Sequence, residues 1–542
     1  MSKMKSFSLT LSTAALMAAS PAMAEITAQE LWALWQEQAM QYGQPVTAEV
    51  TDTGGSLVLN NMTSEMVVED MTVSTSFAQV TLTNQDDGTV SISAADSLVY
   101  RFEGPSPAGT SAVIATFTLS GLQATASGST EMLSVDSQMS NFELADLAFE
   151  NVPPGEIPEH EASLSLAGFQ SSYSYDFTQP GFVGFNGSAS FGPLAIAFEA
   201  QEPAGGGGTE TDESATPTMP GGSTGNDGGG FTPVQPQQPT TPSKQAGDQG
   251  FAEFALNFGA SESTFSGTMP LGVDWMNTET YPAGMAIEMD TSYDSASVRF
   301  AYEDRFENVD ISASNTGGSI GFAISEQAMR YALGAEGVEV SVFTQDLPFP
   351  ISAAADSTLV SVDIPLARSD TPSPFAAEVA YEGVTVDESI WAMVDPGGQV
   401  PRGPATIIMD VSGTVQIFVD LLTMSPEELE NMTSAPGELR DLTLNNLRVS
   451  FGGAELTGVG DVDFQPGQII PVPVGSVDLS LTGANGLLQT LSNAGLVPPQ
   501  QAGMARGMLG MFAVPGSGPD SYTSNIEFGA DGSITANGVP LR

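Results

Sequence analysis

Apolar and polar residues alternate with a period of two over most of this chain. From Val46 the segments VTAEVTDTGGSLVLNNMT, MVVEDMTVSTSF, AQVTLTNQDDGTVSISAADSLVYRFEG and SAVIATFTLSGLQATASG set Val, Leu, Ile and Phe against Thr, Ser, Asp and Asn. That is the period of strands with one buried and one solvated face, and turn residues such as Gly54-Gly55 and Asp87-Gly88 separate the runs. The texture continues through NFELADLAFE, HEASLSLAGFQSSYSYDF and GPLAIAFEA. It resumes at Phe251 and runs to the hairpin expected around Asp531-Gly532.

Helical periodicity is confined to short stretches. Residues 27–42 place Leu31 and Trp35 on one face, widened by Trp32 and Leu34. Thr27 followed by Glu30 has the spacing of a capping box, and Gly43 and Pro45 end the segment. This helix packs on its own domain or lies on a membrane surface; it has the Trp residues of the latter but not the flanking Lys and Arg. SEQAMRYAL at 325–333 reads as a short helical piece, Ser425-Pro426 as the start of a helix turn, and PFAAEVAYEGVTVDESIWAMVDPGG as strand. GANGLLQTLSNAGLV and PQQAGMARGMLGMF read as helices. The expected class is mainly β, a β-rich α+β fold of extended, curved antiparallel sheets with a few short helices.

Composition divides the chain. Lys3 and Lys5, an apolar stretch from Phe7 to Ala19 and Ala22-Met23-Ala24 have the order of a secretory signal peptide over 1–24. Residues 202–250 are rich in Gly, Pro and Thr, nearly free of large apolar groups, and read as a disordered acidic linker or loop. The expected organisation is a helix plus β domain over 25–201, the linker, and a β-rich domain over 251–542 with short helices at 486–512. The export signal makes a periplasmic location the expectation, with secretion the alternative. After the signal no apolar run is long enough for a transmembrane helix.

Charge and missing residue types remove most chemistries. With 13 basic and 65 acidic residues the formal net charge is −52, a surface that repels nucleic acid. There is no Cys and one His, His160. Thiol chemistry, cysteine zinc sites and a His-based triad therefore lack their groups, and no phosphate loop or GxSxG elbow is present. No catalytic residue and no cofactor is expected. Calcium is the weak exception, through Asp86 and Asp87 in the loop Asn84–Gly88; the plain turn is the alternative. What remains is the sheet. An open apolar face would take acyl chains, and a covered one is an ordinary core. Leu487, Leu488, Leu491, Leu496, Met504, Met508, Leu509 and Phe512 are the candidates for covering it. The readings are a lipid- or hydrophobic-ligand-interacting protein, a structural or interaction module of the cell envelope without a small ligand, and, least supported, a hydrolase. Oligomeric state is open.

The C-terminal third carries a resemblance. WAMVDPGGQVPRGPATIIMDVSGTVQI (391–417), the 473–512 stretch and DGSITANGVPL (531–541) resemble a proteobacterial family called domain of unknown function 2125 (DUF2125). The matching positions include Asp395, Pro396, Gly398, Arg402 and Pro404, none of them catalytic, and the resemblance covers residues 380–542 best. It implies an exported Gram-negative protein with no assigned activity. The repeated strand pairs are also similar in layout to large envelope proteins that carry lipid between membranes.

Overall fold

The computed structural model describes residues 25–41, 43–68, 70–106, 109–152, 157, 159–201, 250–273, 278, 280–432, 434–465 and 472–541. The signal peptide reading (1–24) and nearly all of the linker reading (202–250) lie outside these residues. The elements are α1 (Ala28–Gln41), β1 (Val46–Asp52), β2 (Ser56–Val68), β3 (Met71–Asn84), β4 (Val90–Ala94), β5 (Ser97–Ser106), β6 (Gly109–Ser120), β7 (Gln123–Gly128), β8 (Met132–Glu150), β9 (Glu159–Asp176), β10 (Phe182–Phe191), β11 (Leu194–Gln201), β12 (Phe251–Phe258), β13 (Ser261–Pro270), β14 (Ala286–Tyr293), β15 (Ala296–Glu303), β16 (Asn308–Asn315), β17 (Gly317–Ser325), β18 (Ala328–Thr344), β19 (Ile351–Pro365), β20 (Ser373–Val386), α2 (Glu388–Val394), β21 (Ala405–Ile417), α3 (Pro426–Glu430), β22 (Gly437–Phe451), β23 (Ala454–Phe464), β24 (Pro473–Thr482), α4 (Ala484–Asn493), α5 (Pro499–Phe512), β25 (Val514–Pro515), β26 (Ser521–Phe528), β27 (Ile534–Ala536) and β28 (Val539–Pro540).

The 28 strands form one sheet. Many consecutive strands are two halves of a single traverse. β10 and β11 run end to end against β9, parted only by Gly192-Pro193, with Phe191 opposite Phe169 and Leu194 opposite Leu166. The pairs β12–β13, β14–β15 and β16–β17 continue the pattern. The result is a plain antiparallel meander of long traverses, many of them interrupted near the middle.

At each interruption the apolar phase slips by one residue. In β9 the apolar positions are Ala162, Leu164 and Leu166, then Phe169, Tyr173 and Tyr175, and Gly168 between them has φ 84°. β18 slips at Gly337, β20 at Gly383 and β2 at Asn61, all with positive φ. Side chains alternate strictly along a regular strand, so an unbroken traverse would send half its apolar residues to the wrong face. One residue of left-handed backbone, acting as a bulge, returns them. Neighbouring interruptions are hydrogen-bonded: Gly192 N donates to Gly168 O at 2.8 Å and Thr316 N to Glu336 O at 2.8 Å. Together they draw a line across the sheet. The apolar residues of both halves lie on the same side of it, as the contact of Phe258 with Tyr293 across the line shows (ring centroids 4.7 Å apart).

At the N-terminal end this apolar side has a buried second layer. Thr27 and Glu30 make the reciprocal bonds of the capping box, and α1 buries Leu31, Trp32 and Leu34 on Leu57, Leu59, Val80, Leu82, Val90 and Leu133. Met62 and Phe77, from beyond the line, pack against the same cluster. Helix α1 is thus packed into a core on the sheet.

Several sequence expectations change. Residues 328–333 are strand, not helix: Met329, Tyr331 and Leu333 alternate inside β18, paired to β17 and β19, and tertiary pairing overrides the local preference. The stretch ESIWAMV is helix α2 rather than strand, started by Asp387, whose side chain accepts from Ser389 N at 2.7 Å. The composition break at 202–250 separates two stretches of chain but not two sheets, because β11 pairs with β12 from Leu194–Phe258 to Gln201–Phe251.

Candidate functional site: an uncovered apolar face

Directly paired residues in an antiparallel sheet share a face. One such row starts at Val90 and runs through Ala126, Val135, Tyr173, Gly187, Phe265, Met289, Phe322 and Tyr331. It continues through Val362, Ala377, Val411, Leu444, Gly460, Val477 and Ile526 to Ala536. Apart from the Tyr hydroxyls the row has no polar side chain. At about 4.8 Å per strand it extends on the order of 75 Å. Beyond the line a second row runs Leu164, Ile196, Leu256, Val298, Ala313, Val340, Ala353 and Val386.

Between α1 and the buried Ala536 these side chains are half-buried or exposed. Tyr331, Leu333, Tyr381, Ile407 and Met409, neighbours on β18, β20 and β21, are exposed, Ile407 and Met409 at 49% and 47%. Val298, Phe300, Ile311 and Val340 do the same beyond the line. Monomeric proteins rarely leave such contiguous apolar area open without a binding role.

The other face is polar. The row next to the first reads Ser91, Thr125, Asp136, Ser172, Ser188, Thr264 and Asp290. It borders a recess of about 970 Å³ with Gln138, Gln170, Ser190 and Glu262. The ion pairs sit on this side: Arg299 with Glu253 (2.8 Å) and Asp310 (3.1 Å), Arg330 with Glu288 (2.7 Å). Glu378 lies directly opposite Asp410, and its carboxyl is held above the ordinary range by burial and by the charges of Asp410 and Glu382.

The helices read as candidate covers sit at the C-terminal end of the apolar face. Tyr522 and Ser524 belong to it, through pairing with Leu481 and Leu479. The Tyr522 hydroxyl accepts from Asn485 Nδ2 at 2.5 Å, and Ser524 Oγ donates to Phe512 O at 2.6 Å. Leu487, Leu488, Leu491, Leu509 and Phe512 are half-buried there, whereas Leu496, Met504 and Met508 are exposed. The N-terminus of α4 is capped from a distance: Asp520 accepts from Asn485 N (3.1 Å), Asn485 Nδ2 (2.9 Å) and Gly486 N (2.9 Å).

The motif residues build a clasp beside α4. Asp395, 1% exposed, ends α2, and its Oδ2 accepts from Val400 N at 2.7 Å, while Oδ1 is buried without a protein partner. Its carbonyl accepts from Gly398 N (3.0 Å) and Arg402 Nη2 (3.3 Å). Arg402 also pairs with Glu388 and lies 5.8 Å from the Trp391 ring, which stacks on Phe451 at 6.3 Å. Gln399 Nε2 reaches Asn493 O at 3.4 Å, tying the clasp to α4. Pro396 and Pro404 are exposed, the latter immediately before β21. These contacts fix a loop and offer no reaction geometry.

The remaining candidates stand alone. Asp86 and Asp87 lie in the β3–β4 turn, where Thr89 N (3.1 Å) and Thr89 Oγ1 (2.8 Å) donate to Asp87 Oδ1, holding that carboxyl below the usual range. Among the described residues no group of three or more His, Asp or Glu could hold a metal ion. His160 lies in β9 with its ring edge-on to Phe149, 5.0 Å away. No helix among the described residues is long and apolar enough to cross a membrane.

No curated protein and no solved structure matches the chain. A family model described as an uncharacterized protein conserved in bacteria (DUF2125) matches residues 291–541, from the end of β14 almost to the C-terminus and well upstream of the 380–542 stretch. Residues 291–541 of the chain thus carry the similarity to the DUF2125 family.

Proposed function

We propose that this is a periplasmic carrier of lipid or similar hydrophobic ligands, with acyl chains lying along the uncovered face. The observation that carries the reading is the row from Val90 to Ala536, apolar across both halves of the chain and open between α1 and the C-terminal helices. The row residues are paired with neighbouring strands on both sides and carry almost no polar side chain, so the surface offers few hydrogen bonds. A protein interface of comparable size uses about one hydrogen bond per 100–200 Å². A surface without them suits a ligand without them, which is hydrocarbon. At ~75 Å the row is more than twice the ~30 Å hydrocarbon thickness of a bilayer, long enough for several chains end to end. The acidic surface disfavours anionic headgroups and selects neutral or zwitterionic lipid.

The test is mass spectrometry of organic extracts from the purified protein, followed by titration of the delipidated protein with a fluorescent fatty acid. Leu333→Gln with Met409→Gln should weaken uptake, and Ser361→Gln on the opposite face should not. Absence of both co-purified lipid and fatty-acid uptake would sink the proposal and leave the envelope interaction module.

A further inference from the structure

We infer that the outer face of α5 is a bilayer-docking surface, through which the apolar face exchanges lipid with a membrane; the exchange role rests on the carrier reading above. Met504, Met508 and Met511 follow the i, i+4, i+7 spacing of one helical stripe and are 60%, 53% and 59% exposed. The opposite side of α5 is the packed one, with Ala502 buried and Leu509 half-buried.

The outer side has no charge at all. Beside the methionine stripe stand Gly503, Gly507 and Gly510, where an added Cβ would meet nothing within 4 Å. No close approach requires glycine at these positions, and each costs the helix about 1 kcal/mol relative to alanine. Exposed Gln500 and Gln501 begin this side; beyond them, where a water-facing side normally carries Lys, Glu or Gln, methionine and glycine suit an adaptable apolar contact instead.

A second observation is electrostatic. From Leu479 to Pro519 there is no Asp or Glu, the longest acid-free run of a chain with 65 acidic residues, and Arg506 is its one charged side chain. The segment is thus an uncharged island on a strongly anionic protein. A membrane surface, itself often negative, would be approached by this end and repelled by the rest. Phe512, at the end of α5, is bound through its carbonyl by Ser524 of the apolar face, so the island adjoins the track.

Flotation of the full chain with phosphatidylcholine vesicles tests the surface. Wild type should float, less well at low salt when phosphatidylglycerol is added. The triple variant Met504→Glu/Met508→Glu/Met511→Glu should lose flotation by on the order of tenfold, yet keep fatty-acid uptake in solution, which reports its fold and the carrier reading separately. The triple Met→Leu variant should float like wild type. Wild type that stays at the bottom, or a Glu variant that floats equally, overturns the inference. So does sedimentation showing a dimer that the Glu variant dissociates, which would assign the surface to a second copy. If wild type floats but takes up no fatty acid, the docking surface stands and the carrier reading falls.

Discussion

Replacing Gly168 with alanine tests whether the line of phase slips holds the apolar face together. Gly168 has φ 84°, and a Cβ there would meet nothing within 4 Å, so the substitution adds no clash. What remains is the backbone cost of an L-residue in the left-handed region, about 1–2 kcal/mol. The reduced freedom of the unfolded chain offsets about 0.4–1 kcal/mol of that. The net expectation is a destabilisation of about 0.5–1.5 kcal/mol, felt locally. Asparagine tolerates this backbone better, and Asn61 occupies the corresponding place in β2 at φ 49°. Gly168→Asn should therefore fall between wild type and Gly168→Ala. Hydrogen exchange suits a long meander that need not unfold in one step. Amides of 164–172 should exchange several-fold faster in the alanine variant, since 1.4 kcal/mol corresponds to tenfold. Equal protection in all three proteins would show that the slip does not depend on a left-handed residue, and the reasoning would fail.

Three other perturbations have defined signs. Glu378→Gln removes a carboxylate facing Asp410 and should stabilise the fold by about 0.2–1 kcal/mol at pH 7. Because the folded pKa is raised, wild-type stability falls as pH rises from the ordinary value of 4.5 through the folded one, so melting curves of the two proteins should converge below pH 4.5. Asp520→Ala should cost about 1–2 kcal/mol at the start of α4, read as faster exchange over 484–493. Burial pushes the Asp520 carboxyl up, but bonds from Gly486 and Asn485 and the Arg506 charge hold it below the ordinary 3.8; its contribution is present above that value and lost as pH falls through the folded pKa. Replacing residues 202–250 with a four-residue turn should leave the sheet intact and raise stability by about 2 kcal/mol, from the shorter closure between paired Gln201 and Phe251. Loss of folding in that variant would show that the connection has a structural role.

Much of the architecture was legible because alternation is local. The capping pair Thr27–Glu30 and the helix turn opening at Ser425-Pro426 were readable for the same reason and are present. Residues 328–333 misled because Gln327, Ala328 and Met329 favour helix, while the pairing that decides their state comes from β17 and β19. The phase slips were also on the page, in ASLSLAGFQSSYSY, but they acquire meaning only when neighbouring traverses slip at the same height. Continuity across 202–250 was not legible, since pairing between Gln201 and Phe251 leaves no mark on composition. Nor was the open face. Whether an apolar stripe is a core or a surface depends on what lies above it, and no residue in the stripe records that.

The meander has an evolutionary consequence. Most traverses obey one rule, apolar residues in two phases joined at a slip, and each touches chiefly its two neighbours. Duplication of an adjacent pair would lengthen the apolar track by about 10 Å without a new core or a new loop type. Track length is then inherited as a strand count, and selection for a longer or shorter reach acts on whole hairpins rather than on side chains.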